Sequence, residues 1–275
     1  MNISISNSEN PLSNYIYDYF KLQVKHNISI FDSNIYLNKK NIEKIILKNN
    51  LDAIIHLDPI LDIDKYEKNP DIIKSNIKII QNLINACKNQ NIKFIYISSF
   101  HSYGEYSNIP YVENDSCEPI NNFGLFQYES EKIIKKNLEK YFIIKSSWIF
   151  GGQNCYIKQI ISNSNTPLFF CSEHIVNPTH IKFISSTLDN IINTNKYGVY
   201  NCASQNSCSK IELSKFIFDF INVKKEILPI PKELSNKLTR TAKMGAINSS
   251  LLENTFNIKL PNWKDSVCDY ILKEL

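Results

Sequence analysis

The chain has 275 residues, 43% of them hydrophobic, which is enough to bury a substantial core in one domain with a smaller lobe. Lysine plus arginine outnumber aspartate plus glutamate by 31 to 27, but Arg240 is the only arginine and no basic stripe stands out; nucleic-acid readers rely on arginine forks for phosphate and guanine, so composition argues against a nucleic-acid partner. Seven widely spaced cysteines without a CxxC pair, no basic leader and no apolar run near the roughly 20 residues that span a bilayer point to reduced thiols, a cytoplasmic location and no membrane partner.

Short apolar runs alternate with longer amphipathic ones, the pattern of parallel strands joined by crossover helices. Ile3-Ser4-Ile5 predicts a first strand, followed by a helix through Tyr15 to Phe20. A second strand, Ile28 to Asp32, ends in an acid, and residues 41–48 are helical. Ala53 to Leu57 has no polar alternation, which predicts a third strand buried on both faces. Pro70 opens a long helix through Cys87. A fourth strand spans Lys93 to Ser98, a helix Phe123 to Leu138, and a fifth strand Tyr141 to Lys145. After Gly151 the pattern loosens into helices at 156–162, 184–193 and 210–220, a turn at Asn177-Pro178-Thr179, a strand at 199–201 and a terminal helix at 264–272. The expected architecture is α/β: a Rossmann-like, doubly wound parallel sheet over residues 1–150, with a smaller α/β substrate lobe over 151–275 that is interleaved with it.

Ligands of such sheets bind beyond the carboxyl ends of the strands, which groups Asn7, Asp32, Leu57 and Ser99 around one mouth. A dinucleotide site needs glycines in the first strand-to-helix turn, because only a residue without Cβ lets the backbone approach the pyrophosphate. No glycine precedes Gly104, and the turn reads Asn7-Ser8-Glu9-Asn10-Pro11-Leu12-Ser13. Asparagine tolerates left-handed backbone, so Asn7 and Asn10 keep the turn shape available while adding side chains where the pyrophosphate would press. No metal site is expected, since His174, His180, Cys202 and Cys208 lack a recognised ligand spacing.

Ile97-Ser98-Ser99, the run Pro119 to Gln127 with Glu131, and Lys145-Ser146-Ser147-Trp148-Ile149-Phe150-Gly151 together resemble an extended short-chain dehydrogenase/reductase, and more narrowly the dTDP-4-dehydrorhamnose reductase family. Asp62 to Glu67 with Asn76, Asn177-Pro178-Thr179 and Ile258 to Trp263 extend the likeness over nearly the whole chain. The resemblance implies an NADPH- or NADH-dependent reduction of a 4-keto sugar nucleotide in which a tyrosine donates the proton and a lysine four residues later lowers its pKa. At those positions stand Phe123 and Gln127; the third member, a hydroxyl after the fourth strand, is kept as Ser99.

The same likeness sets Asn7, Asn10 and Ser13 at the three glycine positions of the cofactor turn, and Leu57, Asp58 and Pro59 where the family has small residues. Asp32 would bind an adenosine ribose hydroxyl and favour NADH; an acid that merely closes a strand is the plain alternative. Two substitutes for the missing acid are weighed: Tyr128, with Lys132 four residues on, and His101, which titrates near neutral pH. A five-residue shift along a helix turns a side chain by about 140°, which aims Tyr128 away from the cleft. By analogy Tyr103, Trp148 and Asn177 line the substrate region and Arg240 meets a diphosphate, although Thr241 stands where the family has proline and Trp148 is equally a core residue joining the lobes.

Three expectations follow. The chain is a degenerate relative that binds a nucleotide sugar or a partner protein, with or without a cofactor; or an active NAD(P)H-dependent reductase with a substitute donor; or a regulatory subunit of another enzyme, alone or as a homo-oligomer. An exposed apolar patch would favour the last.

Overall fold

The computed structural model describes residues 1–58, 62–152, 155–163, 167–171, 173–231 and 239–275. Strand β1 (Asn2–Ser6) leads to helix α1 (Pro11–Gln23), β2 (Asn27–Phe31) to α2 (Lys39–Asn49), and β3 (Ala53–His56) to a short α3 (Asp64–Lys68) and the long α4 (Asp71–Gln90). Then come β4 (Lys93–Ser99), α5 (Asn122–Asn137), β5 (Tyr141–Ser146) and β6 (Trp148–Phe150). The second half holds α6 (Tyr156–Ser162), β7 (Leu168–Cys171), β8 (Ile175–Val176), β9 (Pro178–His180), α7 (Ile181–Ile191), β10 (Gly198–Asn201) and β11 (Cys208–Ser209). It closes with α8 (Lys210–Phe220), β12 (Ile227–Ile230), α9 (Ser250–Phe256) and α10 (Trp263–Glu274).

Six parallel strands form the central sheet in the order β2-β1-β3-β4-β5-β10. Alternate residues face opposite layers. Ile3, Ile5, Ile55, Ile95, Ile97, Phe142 and Ile144 pack with α1 and α7; Ile54, Phe94, Tyr96 and Ile143 pack with α2, α4 and α5. All four residues of β3 are buried, as an unbroken apolar run between two helical layers requires. A third cluster, around Ile160, Leu213, Ile217, Trp263 and Val267, is the core of the smaller lobe. A fourth, Phe100, Tyr103, Tyr111, Val176, Ala203 and Ile247, joins that lobe to the carboxyl ends of the strands.

Asparagine holds six of the seven left-handed positions taken by residues other than glycine among the described residues, Val24 at the end of α1 being the seventh. With six glycines in the chain, the left-handed positions that end α2, α4 and α9 are Asn50, Asn91 and Asn257, and Asn7, Asn206 and Asn222 adopt the same conformation. Asparagine is one of the few residues with a side chain that takes this backbone at low cost.

Two expectations are corrected. Asn177-Pro178-Thr179 is no turn: Pro178–His180 are extended and pair in parallel with β6, with Pro178 at the first strand position, where its missing N–H costs no ladder bond. The strand at residues 199–201, expected within the smaller lobe, is β10 of the central sheet, paired with β5. The chain after residue 150 therefore returns to the sheet through α7 and β10.

His56, at the end of β3, is fully buried against Phe94 and Tyr96 and bonds Ser6 Oγ at 2.7 Å. Burial lowers its pKa to about 3. His180 is lowered to about 4, by burial first and by Lys182 second. Lowered pKa values mean that the unfolded chain, whose histidines titrate near 6.5, binds more protons in between, so stability rises with pH across that window; the effect is clearest for His56, since His180 Nε2 also lies 3.1 Å from Glu274 Oε1. Urea unfolding is expected to lose up to about 1.4 kcal/mol per pH unit per histidine as pH falls from 6.5 towards 5, and His56→Gln should flatten that slope. A pH-independent stability over this range would contradict the assignment.

Candidate active-site cleft

The strand order reverses between β1 and β3, so the switch point of the sheet lies between the β1–α1 turn and the segment after β3. Asn7 holds the left-handed turn position with φ 61°. Its amide donates to the Leu57 carbonyl across the gap. Asn10 caps α1: its Oδ1 accepts from the Leu12 N–H at 2.8 Å, and its Nδ2 donates to the Asp58 carbonyl at 2.6 Å. Pro11 follows at the first helical position, where its fixed φ suits the start of a helix. Asn7, Asn10 and Ser13 are all buried, at 0%, 1% and 0% exposure. Asn7 Oδ1 and Ser13 Oγ have no hydrogen-bond partner among the described residues.

Leu57 and Asp58 are buried as well. The Asp58 carboxylate accepts from the Tyr66 hydroxyl, which in turn accepts from Asn76 Nδ2 at 2.9 Å. Burial first, and the Asp58 charge second, push the Tyr66 phenol well above its usual range, so it stays a donor. Pro59 lies outside the described residues. At the far end of the groove Asp32 is exposed and accepts from the Ser8 hydroxyl. Glu9 adds a second carboxylate there, receiving the Ser33 N–H and hydroxyl at 3.3 Å. Nothing local in the sequence marks Glu9 for this place, since its partner lies 24 residues away.

On the other side of the mouth, α5 is capped by Asn121, whose Oδ1 accepts from the Gly124 N–H at 2.7 Å. Phe123 is half-buried, its ring edge-on to Tyr66 and to His101 at 5.3 and 5.4 Å. Gln127 is buried below it and accepts the Tyr96 hydroxyl at 2.7 Å. Ser99, half-buried, caps the short 3-10 turn Phe100–Ser102 through the His101 N–H at 3.4 Å. His101 therefore stands beside Phe123, with its Nδ1 3.2 Å from Asn121 Nδ2. Tyr128 lies further along α5, under the ammonium of Lys132 at 5.1 Å, and Lys132 pairs with Glu129 on the exposed flank of the helix.

Of the four residues expected at the substrate region, two are buried and bonded within the protein. Tyr103 is wholly buried, stacked on Tyr111 at 4.8 Å with its hydroxyl on Asn201. Asn177 is equally buried and spent on backbone: its Nδ2 donates to the carbonyls of Ser204 and Asn206, and its Oδ1 accepts the Ile247 N–H. Trp148 is half-buried, stands edge-on to Tyr156 at 4.6 Å and packs against both the third and the fourth clusters, so it bridges them. Arg240 is at the mouth. Its carbonyl accepts from Asn121 Nδ2 at 2.8 Å and its exposed guanidinium pairs with Glu105 at 2.5 Å. Next to it, Thr239 is held by the Asp64 carboxylate. Asn121 is the residue that ties His101 to this segment; its signal in the sequence was its position as a helix cap.

Beneath the mouth lies a buried ion pair. The Lys145 ammonium is 3.0 Å from Glu131 Oε2, 3.0 Å from Ser102 Oγ and 3.9 Å above the Tyr103 ring, and Ser98 Oγ donates to Glu131 Oε1 at 2.6 Å. Neither charged side chain exceeds 2% exposure. This network fastens α5 to β4 and β5.

The sheet order, the second lobe and the placement of the mouth define a Rossmann-like short-chain dehydrogenase/reductase fold. The family model described as the RmlD substrate binding domain matches residues 16–275, and the chain belongs to that family. The dTDP-4-dehydrorhamnose reductase of Sinorhizobium fredii is 24% identical over 230 residues, 78% of each chain. The dTDP-4-dehydrorhamnose reductase of Bacillus anthracis, solved in complex with NADP, superposes with a TM-score of 0.93 at 22% identity over 99% of both chains. That of Clostridium acetobutylicum gives 0.92 at 22% identity over 98% of both.

Removing one partner of a buried pair strands the other charge. Lys145→Met is expected to cost about 3–5 kcal/mol in denaturant unfolding, and adding Glu131→Leu should recover most of it. If the two losses simply add, the pair is not the fastening described.

Proposed function

We propose that this chain is a dTDP-4-dehydrorhamnose reductase-like protein that retains a nucleotide-sugar site and has lost hydride transfer. The observation that carries the reading is the pair of bonds from Asn7 and Asn10 to the carbonyls of Leu57 and Asp58, which fill the switch point with protein. A dinucleotide's pyrophosphate needs converging N–H donors and bare backbone there. The groove instead offers a buried acceptor, Asn7 Oδ1, and the buried carboxylate of Asp58 nearby. Acceptors and anions repel phosphate oxygens, so the residues present do not fit NADH or NADPH. The exposed carboxylates of Asp32 and Glu9 add to this at the adenosine end, and would oppose a 2′-phosphate most.

The proton side supports the same reading independently. Phe123 has no proton to give, and Gln127 is neutral and engaged by Tyr96. A positioned acid is worth typically 10²–10⁴-fold in rate, about 3–5 kcal/mol of barrier. Tyr128 does not replace it, since its ring lies with Lys132 on the flank of α5. What supports ligand binding is the family itself and the polar mouth formed by His101, Asn121 and Arg240. A nucleotide sugar offers this mouth a diphosphate for Arg240, which would leave Glu105, and a hydroxyl for His101, which Asn121 orients. Nucleotide sugars are small soluble molecules, and a cytoplasmic chain with reduced thiols would meet them there.

Two measurements test this. Titration with dTDP-glucose followed by thermal shift should raise the melting temperature, and Arg240→Ala should abolish the rise. Phe123→Tyr/Gln127→Lys, which restores the acid and its lysine, should still leave NADPH oxidation with a 4-keto sugar nucleotide at background, because the cofactor turn remains filled. Turnover in that variant, or in the unmodified chain, would show the reading to be wrong.

A further inference from the structure

The helices covering one face of the sheet carry a charge that the rest of the chain does not. Helices α2, α4 and α5 hold ten lysines and four acids, a net +6, whereas the entire chain is +4; everything else sums to −2. One of those four acids, Glu131, is buried in its pair with Lys145 and does not offset the surface charge. Between α4 and α5 runs an open groove of about 780 Å³, lined by Lys78, Gln81 and Asn85 on one side and Lys132, Lys136 and Asn137 on the other. Its one acid is Glu129, already paired with Lys132 at 3.1 Å. Lys78, Lys132 and Lys136 are exposed.

We propose that this face is a docking surface for an acidic segment of a partner protein, seated in the α4–α5 groove. The lysine ammoniums would meet the partner's carboxylates, and the side-chain amides of Gln81, Asn85 and Asn137, each both donor and acceptor, would meet its backbone. Complementary charge of this kind sets partner choice and association rate more than raw affinity. A second copy of this chain is disfavoured: a two-fold interface pairs the same patch with itself, +6 against +6. Single-stranded nucleic acid is disfavoured because the groove has no arginine to clamp phosphate and no aromatic ring for bases to stack on. A lipid surface is disfavoured because the groove's apolar residues, Ile84 and Ile133, are buried and half-buried, which leaves nothing to insert.

The test is fluorescence anisotropy with a labelled oligo-glutamate peptide on the full chain. Binding is expected at low ionic strength and should fade as salt is raised past the range where the Debye length falls to about 8 Å. Lys78→Glu/Lys132→Glu/Lys136→Glu should weaken it by about tenfold or more. Lys215→Glu/Lys259→Glu, two exposed lysines elsewhere, should leave it unchanged; circular dichroism confirms that both variants fold. Equal loss in the control variant would overturn the proposal, as would a chain that sediments as a dimer and is split by the groove variant. Preferential binding of single-stranded DNA or of phosphatidylserine vesicles over the peptide, with the same lysines responsible, would overturn it too.

Discussion

Two side-chain amides span the point at which the order of the sheet reverses, and the shape of the crevice there depends on them. A doubly wound sheet leaves a crevice at its switch point because neighbouring connections depart to opposite faces. Here Asn7 and Asn10 close that crevice by bonding to the two carbonyls just beyond β3. The bonds serve the fold as well, because they satisfy backbone acceptors at a buried loop end that would otherwise be stranded at about 1–3 kcal/mol each. Glycines at those positions would leave the carbonyls and the helix start to a ligand; asparagines make the turn complete by itself.

The mouth on the other side follows the same logic of polar groups satisfied internally. Asn121 caps α5, steadies His101 and holds the Arg240 carbonyl. Asp64 holds Thr239, and Glu105 holds the Arg240 side chain. Below them the Glu131–Lys145 pair locks α5 against β4 and β5, so the start of α5, where Phe123 sits, is rigidly placed. The phenylalanine at this position therefore sits on an intact frame. The lysine-rich face lies on the far flank of the same helix α5, away from the mouth, and leaves it accessible.

Much of the frame was legible in the chain because it rests on short-range signals. The uninterrupted run at Ala53 to Leu57 marks a central strand, and the spacing of Ile72 to Ile84 marks α4. The missing glycines and the Phe123/Gln127 pair were equally plain. What bonds across 50 or 48 residues was not: nothing local says that the Asn7 and Asn10 amides reach Leu57 and Asp58. Tyr103 and Asn177 look like loop residues at a cleft, yet their partners, Asn201 and Ser204, lie 98 and 27 residues away and draw them inside. The two- to four-residue strands β6, β7, β8, β11 and β12 exist only through such tertiary pairing and carry no pattern of their own.

Isothermal titration of NADPH and of NADH into the unmodified chain, beside Asn7→Gly/Asn10→Gly/Ser13→Gly, tests the closure of the switch point most directly. Closure predicts no heat of binding from either cofactor in the unmodified chain and a measurable affinity once the side chains are gone. Micromolar binding to the unmodified chain would contradict it.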